Sequence, residues 1–535
     1  VTQASRSSHP AALVGIACAL LAAYPRLVRE AGAQSKTRRA ADLRSAVRAH
    51  RIAHEAAILR EFRDLLAIPN LANDTPNIQR NAQHIAALLQ RRGLVTRLLD
   101  GEGGPPVVYG ELLANRAART VILYAHYDGQ PVDPSQWQGA PWTPILRDKP
   151  LDQGGRAVPW GDLPAKIDPE WRLYARSASD DKAPVIALAW ALDALRAGGQ
   201  APSVNLKVFF EGEEEAGSPH LRRVLEKNRE LLKADLWLFC DGPVHQTRAQ
   251  QLYFGARGVT GLEITVFGPR RTLHSGHYGN WAPNPAALAA QIVAGLRDRD
   301  GRVLAAGFYD DVRPLSAADE RALAEVPEVD AQLRQELLLG ATEAGGAKLA
   351  ERILIPALNV RGISSGHVGA AATNAIPTEA RISIDFRLVP DQTPESVRRR
   401  VEAHLRQQGF LLTHERPSEE LRRQHPVVVQ LEWDDGGYPA ARTGLDLVES
   451  RTLVGVIEEF LGSKVIKMPM LGGSIPMHVF FEVTRTPIIG LPVANHDNNQ
   501  HAANENIRVQ NVWDAIELYA GILAGLGTSW PSANP

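Results

Sequence analysis

The stretch VNLKVFFEGEEEAGS, residues 204–218, decides how the chain is read. Its apolar and aromatic run over 204–210 has the composition of a strand. It then stops on Glu213, Glu214 and Glu215, where like charges crowd and repel. Two more runs share this form. TVILYAH (120–126) leads into His126-Tyr127-Asp128, and LWLFC (236–240) leads into Asp241. Helical stretches separate the runs, notably APVIALAWALDALRAGG (183–199) and residues 219–233. Strand, helix, strand in this rhythm predicts an α/β fold, a mostly parallel sheet with helices on both faces.

Outward from that centre the texture changes twice. From residue 259, GLEITVFGP and later ARISIDFRLVP (380–390) alternate apolar and polar residues between helices at 285–299 and 394–408. That pattern predicts a smaller inserted α+β domain. After Gly437 the α/β texture returns, with helices at 445–461 and 512–526 around TPIIGLPV (486–493). The expected organisation is a catalytic domain built from two segments, 34–258 and 438–535, with a lid and dimerisation domain at 259–437 inserted between them. Gly258 and Gly437 stand near the two crossings, as hinges or as ordinary turn glycines.

At 535 residues the chain is long enough for two or more domains, and 44% hydrophobic residues suffice for a large core. A net charge of −1 with no basic stripe excludes a nucleic-acid partner and gives no reason for electrostatic membrane docking. Near the start, Arg6 precedes AALVGIACALLAA (11–23), and Ala31-Gly32-Ala33 follows, which has the form of a signal peptide over 1–33 with export to the periplasm or medium. Arg26, Arg29 and Glu30 interrupt that pattern, and a short anchor or an unprocessed helix is the other reading. The cysteines are Cys18 and Cys240; removal of a leader would leave Cys240 alone, with no internal disulfide. No other segment is apolar and long enough to span a membrane.

In an open parallel sheet, ligands bind beyond the carboxyl ends of the strands. The polar residues at those ends are His126 and Asp128, Glu211 to Glu215, Asp241, and the segment NHDNNQHAANE (495–505) with His496 and His501. Ser179-Asp180-Asp181-Lys182, just before the helix at 183, adds to them. Taken singly, each piece reads as a solvated loop, a helix N-terminus or a structural histidine. Placed together, histidines and several carboxylates form a site for zinc or manganese, with two ions sharing a bridging carboxylate. Such a pair neutralises the glutamates: one is a ligand, its neighbour the base that takes a proton from water, and the third faces solvent.

Nine segments carry a resemblance to a known family. They are YAHYDGQPVDP (124–134), LYARSASDDKAP (173–184), FFEGEEEAGS (209–218), FCDGP (239–243), LHSGHYG (273–279), NAIP (374–377), FRLVP (386–390), GGSIP (472–476) and HAANE (501–505). The chain resembles the co-catalytic metallopeptidases that include carnosinase, the cytosolic dipeptidases, aminoacylase, glutamate carboxypeptidase and succinyl-diaminopimelate desuccinylase, and leans to the dipeptidase side. The resemblance implies that His126, Asp180 and Asp241 bind one metal and Asp180, Glu215 and His501 the other, with Asp180 bridging. The ions it implies are two divalent metals per chain, zinc first, manganese or cobalt also fitting. It implies Glu214 as general base, Asp128 as the group that orients His126, and His274 as an oxyanion donor reaching across a homodimer. It also implies Arg387, Asn374 and Ser474 as substrate-binding residues. His501 is preferred to His496 because Asn504 and Glu505 follow it. The chain departs from the family at Ala175-Arg176-Ser177, Lys182-Ala183 and Leu471, which points to altered loop packing and an altered substrate pocket.

The function this implies is hydrolysis of amide bonds in short peptides, as a dipeptidase or carboxypeptidase-like exopeptidase. An N-acyl amino acid deacylase would present the same amide and carboxylate to the site. A non-catalytic binding protein on this fold is the reading from another class.

Overall fold

The structure, a computed structural model, describes residues 11–115 and 117–531, with side chains from residue 37 onward. The expected leader at 1–33 and its Cys18 therefore lie outside the residues whose side chains are described. The chain enters the fold through one long helix, Ala11–Leu66. Among the described residues no helix is long and apolar enough to cross a membrane.

An eight-stranded sheet runs in the order Val95–Leu99, Val107–Leu112, Asn205–Glu211, Thr120–His126, Leu236–Phe239, Ile488–Gly490, Gln251–Tyr253, Ile466–Met468. Its centre is parallel: Thr120–His126 pairs that way with both neighbours, and Leu236–Phe239 with Ile488–Gly490. The flank at Val95–Leu112 is antiparallel, as is the contact of Gly490 with Tyr253. The central strands are buried on both faces, which is why they read as unbroken apolar runs.

Helices cover both faces. On one, Ala183–Ala197 lies beneath Val509–Ser529 and the end of Ala11–Leu66, and nearly all of its side chains are buried. A helix enclosed on every side loses its amphipathic stripe. On the other face, Phe480 of helix Met477–Thr484 packs edge-on against Tyr124, Phe209 and Phe239. Full burial of a phenylalanine contributes about 2–3 kcal/mol.

All strands of a second, five-stranded sheet lie within 258–433, in the order Ala357–Ser364, Glu379–Leu388, Gly258–Phe267, Val428–Trp433, Leu411–Thr413. Helices Pro285–Leu296 and Pro394–Gln407 pack on one face, where Ile292, Leu296, Val397 and Leu405 meet Leu262, Ile264, Ile382 and Phe386. The other face is polar, with Glu263 accepting from Arg361 and Ser383. This alternation is the half-exposed pattern read from the sequence.

The two crossings between the sheets are bonded to each other. Val259 and Tyr438 exchange backbone hydrogen bonds of 3.0 and 2.9 Å. A Cβ on Gly258 would come within 2.4 Å of the Tyr438 carbonyl, and one on Gly437 within 3.0 Å of Thr260 Cβ. These glycines are therefore required by close backbone approach. The polar stretch before residue 357 folds into helices Ala317–Glu325, Asp330–Glu336 and Leu349–Arg352. It reaches back across the first sheet as a strap. Asp319 pairs with Arg442 in a buried contact, and Glu325 lies 2.6 Å from Lys467 beside the edge strand Ile466–Met468.

Candidate metal centre

The carboxyl ends of the central strands converge on two groups of three ligating side chains. One is His126, Asp180 and Asp241, all buried; the other is Asp180, Glu215 and His501. Within each group the ligand atoms lie within 4.8 Å of one another, and Asp180 belongs to both. His126 Nε2 is 2.8 Å from Asp180 Oδ1, while His501 Nε2 is 3.1 Å from Asp180 Oδ2 and 3.3 Å from Glu215 Oε2.

Local structure explains each placement. The Asp180–Asp181 peptide is cis. Buried Glu505 accepts the backbone N–H groups of Ser177, Ser179 and Asp180, each at 3.0 Å, and the Arg176 guanidinium at 2.7 Å. It thereby ties the Asp180 loop to the segment that carries His501. Ser177, one of the residues at which the chain departs from the resemblance, has a φ of +61°. Its hydroxyl accepts from Asn70 at 2.8 Å, which offsets some of the left-handed strain. His501 is itself left-handed, at φ +62°, a conformation that functional sites tolerate more than others.

Asp128 has two tasks. Its Oδ1 lies 3.3 Å from His126 Nδ1, and its oxygens accept the backbone N–H of Glu214 and Glu215 at 3.1 and 3.0 Å. Those bonds separate the neighbouring glutamates, Glu215 into the second trio and Glu214 beside the first. Sequence reasoning expected the remaining glutamate to face solvent. Instead Glu213 is buried, 2.9 Å from His220 Nδ1, and accepts the His220 backbone N–H at 2.9 Å. A histidine close by gives that carboxylate a partner away from water.

The electrostatics fit a cation pair. Burial, with Asp180 next, pushes the Asp241 carboxyl up to about 6 and Glu215 up to about 8. Burial and then Asp241, Glu215 and Asp180 push Glu214 well above the carboxylate range, against the pull of His126. Burial would raise Asp180 too, but hydrogen bonds from His126 and His501 hold it far below the ordinary range. Carboxylates this crowded must share protons unless positive charge replaces them. Imidazole nitrogens with carboxylate oxygens are the donor set that zinc or manganese takes.

The other expected residues fall into two groups. Arg387 donates to Ser474 Oγ at 2.9 Å and pairs with Asp385 at 3.0 Å. Burial and then the charge of Glu214 raise the hydroxyl of Tyr438, at the crossing, above its ordinary range, against the pull of Arg387. His274 and Asn374 are exposed on a small ribbon that pairs Leu273–His274 with Ala375–Ile376, where Ser275 N–H donates to the Asn374 carbonyl at 2.9 Å. The His274 ring packs on His277, and among the described residues no contact links it to the metal-site residues. His496 belongs to neither trio.

Gln130 and Gln500 escaped the sequence reading. Their amides donate to Glu215 at 2.7 Å and to Asp180 at 2.8 Å. Their positions were the available signal, one two residues after Asp128 and the other directly before His501.

The profile of peptidase family M20/M25/M40 matches residues 122–525. The chain is 26% identical over 456 residues to the Cys-Gly metallodipeptidase dug1 of Schizosaccharomyces pombe, covering 84% of this chain and 88% of that one. It is 26% identical over 429 residues to the human beta-Ala-His dipeptidase, covering 78% of this chain and 76% of that one. Among solved structures it superposes with a TM-score of 0.70, at 26% identity, on the M20 family metallo-carboxypeptidase Sso-CP2 from Sulfolobus solfataricus, covering 88% of this chain and 99% of that one.

Proposed function

The chain belongs to peptidase family M20/M25/M40, and from that premise we propose that it is a two-metal exopeptidase that cleaves dipeptides bearing a free carboxylate. The observation that carries this reading is the pair of ligand trios sharing Asp180. The names of the matched dipeptidases support the substrate class. In this reading His126, Asp180 and Asp241 hold one divalent ion and Asp180, Glu215 and His501 the other, zinc being the first choice. When bound, the ions polarise the scissile carbonyl and make water acidic enough to lose a proton near neutral pH.

The chain's own residues do the rest. Glu214 accepts the proton of the attacking water and returns it to the leaving amine, a task its raised pKa suits. Asp128 fixes the His126 ring. Arg387, with Ser474 and Asn374, grips the substrate carboxylate, for which a guanidinium fork is well shaped. His274 of the partner subunit supplies an oxyanion donor within a homodimer. Support for the dimer is the exposure of His274 and Asn374, together with the open outer edge of strand Ala357–Ser364 in the lid sheet. The leader-like segment at 1–33 supports export.

The deciding experiment is mass spectrometry of amino acids released from dipeptides and N-acyl amino acids by zinc- or manganese-loaded protein, beside Glu214→Gln. Release from dipeptides by the wild type alone is expected. Release only from N-acyl substrates would replace the reading with a deacylase, and near-normal turnover by Glu214→Gln would remove the proposed base.

A further inference from the structure

The second trio is the less enclosed of the two. The His126 side chain is 1% exposed, whereas that of His501 is 54% exposed. An ion held there would lean on its two carboxylates, Asp180 and Glu215, whose side chains are each 5% exposed. Each of those carboxylates accepts from an amide outside the trio. Gln130 Nε2 donates to Glu215 Oε2 at 2.7 Å, and Gln500 Nε2 donates to Asp180 Oδ2 at 2.8 Å. These are the same two oxygens that His501 Nε2 approaches, at 3.3 and 3.1 Å. The other Asp180 oxygen, Oδ1, faces His126, and among the described residues no amide side chain donates to it.

The backbone sets both glutamines. Gln130 follows Gly129, whose N–H donates to the carbonyl of buried Asn70 at 2.9 Å. The Gln500 N–H donates to Oδ1 of buried Asn498 at 2.6 Å, and the Asn498 carbonyl accepts the Asn506 N–H at 2.8 Å. Each amide bonds one ligand only, so the pair flanks the trio rather than bridging it. An N–H donated to a carboxylate favours its charged form and fixes its orientation, and the oxygen keeps a lone pair for an ion. Groups in this outer position are typically worth about 10–100-fold in metal affinity.

We infer that Gln130 and Gln500 are positioning residues for the second trio, holding Glu215 and Asp180 so that the ion beside half-exposed His501 is retained; this rests on the two-metal reading above. They act on one ion of the pair and not on the other. Zinc-loaded protein is equilibrated with rising chelator, and the ions kept per chain are counted by mass spectrometry. His501→Ala keeps the first-trio ion alone, so its single release step marks that ion. Gln130→Met and Gln500→Met match the side chain in length and lack the N–H. Each is expected to release the other ion at a chelator concentration lower by about tenfold or more, with the first-trio step within about twofold of its wild-type place. Turnover lost at limiting zinc should return in excess zinc with KM unchanged, which a damaged fold would not allow. Gln500 is exposed and Gln130 half-buried, so neither substitution threatens the core. A second-trio step unmoved in either variant overturns the inference for that glutamine. Equal shifts of both steps, or a shift of the remaining step when either substitution is added to His501→Ala, overturn it for the pair. A wild type that retains a single ion would instead overturn the two-metal reading, and the inference with it.

Discussion

Glu214 and Glu215 are chemically identical neighbours, and the backbone sets them to different work. Asp128 holds both N–H groups, so one carboxylate joins His501 while the other stays free. Glu214→Gln is expected to bind metal as the wild type does and to lose about a thousandfold or more in kcat, read by metal analysis beside turnover. The two histidines of NHDNNQH separate the same way. His501→Ala should lose one metal equivalent per chain by mass spectrometry, and His496→Ala should keep both, because only His501 reaches Asp180 and Glu215. Parity between the two variants would contradict this assignment.

At the scale of elements, the strap tests how the lid is attached. Asp319 is buried against Arg442; burial would raise its carboxyl, but the Ser316 cap and Arg442 hold it below its ordinary range. A lowered folded pKa means stability that is complete above the unfolded value, about 3.9, and lost as pH falls through the folded one. Losing this charge-assisted hydrogen bond in Asp319→Asn should cost about 1.5–3 kcal/mol at neutral pH in denaturant melts, a gap that closes in acid. A gap that persists unchanged at low pH would rule out the ion pair as its source. Such elements were unevenly legible. The candidate ligand trios were readable because apolar strands end abruptly on histidine or carboxylate, as at Ala125-His126 and Cys240-Asp241. The strand Val95–Leu99 was not, since mostly exposed edge residues carry no run. The strap helices hid in a polar stretch because their partners, Arg442 and Lys467, lie beyond the lid in sequence.

At the scale of the whole molecule, the proposed homodimer would bring the exposed His274 of one chain to the metal site of the other. If His274 acts across a dimer, mixing Glu214→Gln with His274→Ala protein restores activity that neither shows alone. Random re-pairing puts half of the subunits in mixed dimers with one complete site each, so about a quarter of wild-type turnover is expected. No recovery after subunit exchange, checked by sedimentation, would place His274 outside the reaction. Metal held by the proposed ligands would also join the two segments of the first sheet, since His126 and Asp241 precede the second sheet in sequence and His501 follows it. Chelation should lower Tm as well as activity, because an ion bound only by the native state stabilises it. An unchanged Tm after verified metal removal would contradict that coupling.

The interruption of the first sheet bears on synthesis. Chains emerge from the N-terminus onward, and strand Leu236–Phe239 awaits Ile488–Gly490, which is made only after the entire lid. Until then the middle of the sheet has an open edge, apolar on both faces, which invites pairing with other nascent chains. The time the ribosome takes to translate the lid is thus the interval during which that edge depends on chaperones.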